Sequence, residues 1–228
     1  MKPAIGTPEN CNLLPPLGAC CLQPNGHEAI YLGEDTGWQY TYNRELHLAI
    51  NTSSGRLFWP LDPLPDEVYI EDIAHGLAAE NRFGNQADYP YSVAWHSVAL
   101  SHVVPQELAR WALMHDAAEA YMADIPRPLK RTGKFEFYEK AEKELMKIIA
   151  TEIGLTPTVM PEELEEYDSR MGSVELLYAN KVGRAKMIAR GWSHEELESY
   201  SNWKDWIKPV SFEDAKKAFL DRYNQLFK

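Results

Sequence analysis

His115 and Asp116 stand side by side in the stretch Trp111-Ala-Leu-Met-His-Asp-Ala-Ala-Glu-Ala-Tyr-Met-Ala-Asp124, and an isolated histidine, His96, precedes them. Imidazole nitrogen and carboxylate oxygen together are the donors of a divalent cation, with two imidazoles favouring a transition metal over magnesium. If the chain from Gln106 to Met122 is helical, Leu108, Trp111, Ala112, His115, Glu119 and Met122 share one face, with Asp116 at its edge. The apolar members bury that face and carry His115, Asp116 and Glu119 inward. On the preceding helix, capped by Ser92, His96 shares a face with Ala99, Leu100 and Val103, whereas His102 lies about a third of a turn away. A buried imidazole beside a buried carboxylate is costly unless compensated. A divalent cation would compensate it, and so would a simple hydrogen bond within a core His-Asp pair.

The elements that must hold these residues are mainly helical. From Asp66 onward the pattern predicts helices near Tyr69 to Glu80, Ser92 to Val103, Gln106 to Met122, Phe135 to Ile153, Pro161 to Arg190 and Phe212 to Phe227. Pro126 and Pro128 end the helix that carries the His-Asp pair, and Gly191 stops the long one. The first fifty residues differ: Pro15, Pro16, Gly18, Pro24 and Gly26 break them, while Ala29 to Leu32 and Trp38 to Tyr42 read as strands around the turn Gly33-Glu-Asp-Thr-Gly37. Leu46 to Ile50 and Arg56 to Trp59 extend this hairpin pattern around Asn51-Thr-Ser-Ser-Gly55. The expectation is a mainly α protein, with an N-terminal β-hairpin extension over residues 1–55 and a helical domain over residues 56–228. Trp192, Trp203 and Trp206 are expected to anchor the C-terminal connection to the core.

Composition narrows the classes of function. With 228 residues and 45% hydrophobic content the chain can bury a sizeable core. A net charge of −11 argues against a nucleic acid polymer as ligand, which would need a basic stripe. A small anion needs only local positive charge, and Arg82, Arg127, Lys130 and Arg131 are the candidates. Three cysteines, Cys11, Cys20 and Cys21, form no CxxC pair, which suggests a reducing compartment. The opening Met-Lys-Pro-Ala-Ile-Gly-Thr-Pro-Glu-Asn lacks the apolar core of a secretory signal, and no stretch has the length of a membrane span. A cytoplasmic protein without a membrane partner is expected.

A wider pattern surrounds the His-Asp pair. It runs through Thr52-Ser-Ser-Gly-Arg56, Tyr69-Ile-Glu-Asp-Ile-Ala-His-Gly-Leu77, Asn81-Arg-Phe-Gly84, Tyr91-Ser-Val-Ala-Trp-His-Ser97, His115-Asp-Ala-Ala-Glu-Ala-Tyr121 and Asp124-Ile-Pro-Arg-Pro-Leu-Lys130. In this the chain resembles the HD-domain phosphohydrolases, in particular the branch of bacterial 5'-deoxynucleotidases and phage dATP triphosphohydrolases. The resemblance implies an HD-domain helical bundle in which His96, His115 and Asp116 are metal ligands. It places the fourth ligand at Asp168, because Asp168-Ser-Arg-Met-Gly-Ser-Val-Glu175 is similar to the family's closing motif of an aspartate followed two turns later by a glutamate.

The same resemblance implies a role for each of the other motif residues. Glu119 and Asp124 become general acid/base groups that orient water and protonate the leaving 5'-oxygen; for Glu119 the competing role is a hydrogen bond that fixes a histidine tautomer. Arg82 and Lys130 would neutralise phosphate oxygens, and Phe83 would pack against C2' of the sugar and favour deoxyribose. The implied cofactor is a divalent zinc, cobalt, manganese or magnesium ion, and the implied partner is a small deoxynucleotide. The favoured reaction is conversion of dATP and water to deoxyadenosine and triphosphate. The alternatives are a 5'-deoxynucleotidase acting on monophosphates and a non-catalytic nucleotide-binding module of the same fold. Relatives of this kind assemble as homo-oligomers, dimers or hexamers, and a phage-encoded member would work in its host's cytoplasm.

Overall fold

The computed structural model describes residues 20–22, 28–31, 38–40, 44–180, 183–189, 191–193, 195 and 201–228. The expected turn at residues 33–37, Leu32, Thr41, Tyr42, Arg190, Cys11 and the early proline and glycine breaks lie outside the described residues. No helix among those described is long and apolar enough to cross a membrane.

The expected N-terminal hairpin is present as β2 (Glu28–Tyr31) and β3 (Trp38–Tyr40), antiparallel, with β1 (Cys20–Leu22) added on the other side of β2. Residues 46–58 do not extend that sheet. Leu46–Leu48 form a 3-10 turn instead of a strand, and β4 (Ile50–Asn51) pairs with β5 (Leu57–Phe58) as a separate hairpin. The boundary drawn between residues 55 and 56 falls in the turn of this second hairpin, where Gly55 takes φ 78°. Asp72, near the start of the first helix, clamps that turn by accepting from Ser53 Oγ (2.7 Å), Ser54 N (2.8 Å) and Ser54 Oγ (2.7 Å). The strand end then drops Phe58 and Trp59 into the helical core.

The helices are α1 (Ile70–Ala79), α2 (Val93–Val103), α3 (Ala109–Met114), α4 (Glu119–Met122), α5 (Arg127–Lys130), α6 (Glu136–Glu152), α7 (Glu162–Tyr178), α8 (Gly183–Ala189) and α9 (Phe212–Phe227). α2 is the central element. Nine of its residues, from Val93 to Ser101, are buried, as expected of a helix packed on every side. It packs against α1, α3, α7 and α9. Ser92 caps it as expected, accepting from Trp95 N at 3.2 Å. α9 lies across α1, α2 and α3, and Arg222 pins it by donating to Ser101 O (2.8 Å) and Ser101 Oγ (3.0 Å).

Two expected helices prove discontinuous. The segment from Gln106 to Met122 begins as a 3-10 turn, becomes α3, and is interrupted at residues 115–118 before α4. There the bonds tighten to i→i+3, from Ala117 N to Met114 O (2.9 Å) and from Glu119 N to Asp116 O (2.9 Å). α1 crosses α4 so closely that a Cβ on Gly76 would lie 2.5 Å from Ala120 O, so this crossing requires glycine. The segment from Pro161 to Arg190 likewise splits into α7 and α8, and Gly183 turns so near Leu176 O (1.8 Å to a built Cβ) that no side chain fits.

Candidate metal centre

α2, the interrupted α3–α4 segment and α7 bring His96, His115, Asp116 and Asp168 together. His96 Nε2 lies 3.3 Å from His115 Nε2 and 3.2 Å from Asp168 Oδ1. His115 Nε2 lies 3.1 Å from Asp116 Oδ2 and 3.8 Å from Asp168 Oδ1. His96, His115 and Asp116 offer donor atoms all within 4.8 Å of one another, and this group could hold a metal ion. Asp168 Oδ1, on α7, stands beside both histidines.

The other ring nitrogen of each histidine shows which nitrogens are free. His96 Nδ1 faces Glu175 Oε1 at 2.5 Å, and His115 Nδ1 faces Ala112 O at 2.9 Å. A carboxylate and a carbonyl only accept, so both Nδ1 atoms carry a proton, and it is through Nε2 that each ring can offer a lone pair once any second proton is lost. Asp168 Oδ1, facing these nitrogens, is buried with no hydrogen-bond donor. Electron-rich atoms at such separations repel one another unless a proton or a cation lies between them.

The charges respond accordingly. Burial opposes a charged ring at His115, but the carboxylates of Asp116 and Asp168 outweigh it and raise its pKa well above the usual value. Burial likewise pushes Asp116 up, yet His115 brings it down to about 2. Asp168 is buried too, and the two histidines hold it well below the usual carboxylate range. A proton on His115 and a divalent cation are thus rivals for one position.

Arg82 is drawn into this cluster rather than left to solvent. Its Nε donates to Glu175 Oε2 (3.0 Å) and one terminal nitrogen to Asp116 Oδ2 (3.3 Å), while the other stands 3.9 Å from Asp168 Oδ1. Burial disfavours its charge, but Glu175, Asp168 and Asp116 more than offset that. The loop that presents it is held by Arg82 N to Tyr91 O (2.9 Å) and by Asp88 N to Ala179 O (2.8 Å). Within this loop Phe83, Gly84 and Asn85 take φ 62°, 58° and 63°, a left-handed run unusual for an aromatic residue.

Arg82, Asp116 and Asp168 line a cleft of about 920 Å³, together with Phe83, Glu119, Asp124, Lys130, Arg131, Lys186 and Trp192. Trp192 therefore faces the cleft, whereas Trp203 is buried and Trp206 stacks on His102 at 4.7 Å, as anchors do. Glu119 is nearly buried, and its Oε2 has no hydrogen-bond partner. Burial, followed by the charges of Asp116 and Asp124, pushes its carboxyl well above the usual range.

Asp124 follows Ala123, whose φ 69° and ψ 156° fall in a region that is essentially reserved for glycine. Tyr138 Oη, donating to Ala123 O and Met122 O, and Glu80 Oε1, accepting from Asp124 N at 3.3 Å, brace this strained turn. Lys130 is paired with Glu142, at 3.0 and 2.9 Å from its two oxygens. Arg127 donates to Asp168 Oδ2 at 2.7 Å.

Of the residues expected from the sequence, Arg82, Phe83, Asp116, Glu119, Asp124, Lys130 and Asp168 line one cleft, and His96 and His115 lie against Asp116 and Asp168 without lining it. Four others that matter to the site were not singled out as site residues. Glu142 read as an ordinary helix acid, and Glu175 was noted as the closing glutamate of the motif that begins at Asp168 without a role of its own, although a charge on the buried face it shares with Met171 could have marked it. Arg127 was one cation among several, and nothing in an alanine marked Ala123.

Comparison with known proteins adds likeness without a function. No family model matches the chain. It is 43% identical over 110 residues, 48% of this chain and 61% of the relative, to YfdR, an uncharacterized protein of Escherichia coli K12. It is 40% identical over 118 residues, 47% of this chain and 59% of the relative, to an uncharacterized protein of Rhodobacter capsulatus. The chain spans about three-fifths of the length of these curated relatives.

Proposed function

We propose that this chain is a metal-dependent deoxynucleotide phosphohydrolase and that its substrate is dATP, converted with water to deoxyadenosine and triphosphate. The observation that carries the reading is the close approach of His96 Nε2, His115 Nε2, Asp116 Oδ2 and the donorless Asp168 Oδ1, with both Nδ1 atoms engaged by other acceptors. His96, His115, Asp116 and Asp168 would hold a divalent cation, and two imidazoles among the donors favour a transition metal. When bound, that cation supplies Lewis acidity, which makes hydroxide available near neutral pH and polarises a phosphoryl oxygen.

The protein's own groups supply the remaining chemistry. Hydrolysis forms a bond from water oxygen to the α-phosphorus and breaks the bond from that phosphorus to the 5'-oxygen. Asp124, on its braced turn, orients the water and accepts its proton. Glu119, which retains a proton more readily than an ordinary carboxyl, delivers it to the leaving 5'-oxygen. Lys130 and Arg82 face the phosphoryl oxygens with positive charge as negative charge builds. Phe83 lines the cleft half-buried, and its ring packed on C2' would leave no space for a hydroxyl.

Arg131 and Lys186, exposed cations on the cleft lining, favour a triphosphate over a monophosphate, which needs no charge beyond the α-position. Product analysis tests the proposal: metal-loaded protein is incubated with each deoxy- and ribonucleotide as mono- and triphosphate, beside a His115→Ala control. Deoxyadenosine and inorganic triphosphate from dATP are expected. Phosphate from several deoxynucleoside monophosphates would replace this reading with a 5'-deoxynucleotidase, and no turnover with any metal would leave a nucleotide-binding module.

A further inference from the structure

We propose that Glu175 is a positioning residue through which one buried carboxylate sets both the metal-binding face of His96 and the aim of the Arg82 guanidinium. This rests on the metal-centre reading above.

Glu175 has no solvent exposure and lies on α7, beyond contact with substrate in the cleft. Its two oxygens are divided between two functional groups: Oε1 accepts from His96 Nδ1 at 2.5 Å and Oε2 accepts from Arg82 Nε at 3.0 Å. A neutral imidazole has one N–H. Holding it at Nδ1 leaves the Nε2 lone pair toward His115 and Asp168, whereas the other tautomer would place a hydrogen where a cation must sit. On the Arg82 side, anchoring Nε turns the terminal nitrogens toward Asp116 (3.3 Å) and Asp168 (3.9 Å).

Packing alone does not require this arrangement. A residue that merely filled space would be replaceable by its isostere, yet glutamine here faces two N–H donors with only one acceptor oxygen. A guanidinium cannot move its Nε proton away, but an imidazole can. In Glu175→Gln the amide oxygen therefore settles on Arg82 and the amide nitrogen on His96 Nδ1, and the ring proton moves to Nε2. The centre is then blocked although no ligand has been changed.

The test compares wild type with Glu175→Gln by zinc affinity in a chelator competition and by nitrogen-15 NMR of labelled histidine. A 10- to 100-fold loss of zinc affinity is expected, with the metal-free His96 proton moved from Nδ1 to Nε2 and thermal unfolding still cooperative. Zinc affinity within threefold of wild type, with the proton still on Nδ1, overturns the proposal. Should Glu175→Gln not fold, zinc-loaded wild type decides: ligation by His96 through Nε2 with Nδ1 protonated supports it, and ligation through Nδ1 overturns it. Wild type that takes up no zinc overturns the metal centre and the coupling together. Normal zinc uptake by both proteins removes only the coupling.

Discussion

The two walls of the cleft are built on opposite principles. The inner wall, from α2 and α7, is closed by interlocking bonds: Glu175 is held by His96 and Arg82, and Asp168 Oδ2 by Arg127. The two Nε2 atoms and Asp168 Oδ1 face one another, and Asp168 Oδ1 has no hydrogen-bond donor. The outer wall, from α4 to α5, keeps Glu119 Oε2 unpaired and runs through a backbone conformation costly for alanine. Rigid donors suit an ion that must be held, whereas a carboxyl with an unpaired oxygen and a raised pKa suits a proton that must move. Strain of about 1–3 kcal/mol at Ala123 is tolerated because Tyr138 and Glu80 determine the turn from both sides.

If the walls divide the work in this way, substitutions should separate metal binding from turnover. The largest effect is expected from Asp168→Asn, which removes an inner-wall charge: bound metal measured by elemental analysis should fall to background and turnover should vanish with it. Glu119→Gln should lower turnover by about 10²–10⁴-fold with metal content unchanged, and parallel loss of metal would show that the walls are not separable.

The pH dependence of zinc affinity probes the inner wall without substitution. Because His115 has a raised pKa, the metal-free protein keeps a proton on the ring, and binding must displace it. Affinity should therefore rise with pH, about tenfold per unit below that pKa for one displaced proton, and level off above it. The same shift stabilises the metal-free fold below the unfolded histidine pKa and is lost as pH rises through the folded value. Asp116 acts in the opposite sense, its contribution fading as pH falls from the usual carboxylate range toward about 2. Zinc affinity that is flat between pH 5 and pH 8 would contradict the competition.

The smallest effect concerns the outer wall. Ala123→Gly relieves the strained backbone but adds about 0.4–1 kcal/mol of unfolded-state freedom. The net change should raise the thermal midpoint by about 2–4 °C while lowering turnover a few-fold as Asp124 loosens. A lowered midpoint would mean that the turn is not strained.

The extent to which the site was legible in the chain follows from the range of the interactions. Face sharing, set by local periodicity, correctly buried His96 and Glu119. The uninterrupted helix expected from Gln106 to Met122 did not allow for the tightened turn at residues 115–118, since a run of good helix formers gives no local signal of a 3-10 step. The hairpin expectation failed at Leu46 to Leu48 for a related reason. Short apolar runs satisfy several conformations equally, and packing chooses between them.

The sequence by itself determined the donor types, the helical class and the position of the cap at Ser92, all of which depend on neighbours within a turn or two. Tertiary structure alone decided that Asp168 meets His96, that Arg82 is held between three carboxylates, and that Glu175 accepts from the Nδ1 side of an imidazole it approaches from another helix. Those contacts join residues far apart in the chain, so their strength depends on burial and distance, and neither is written in any local run of residues.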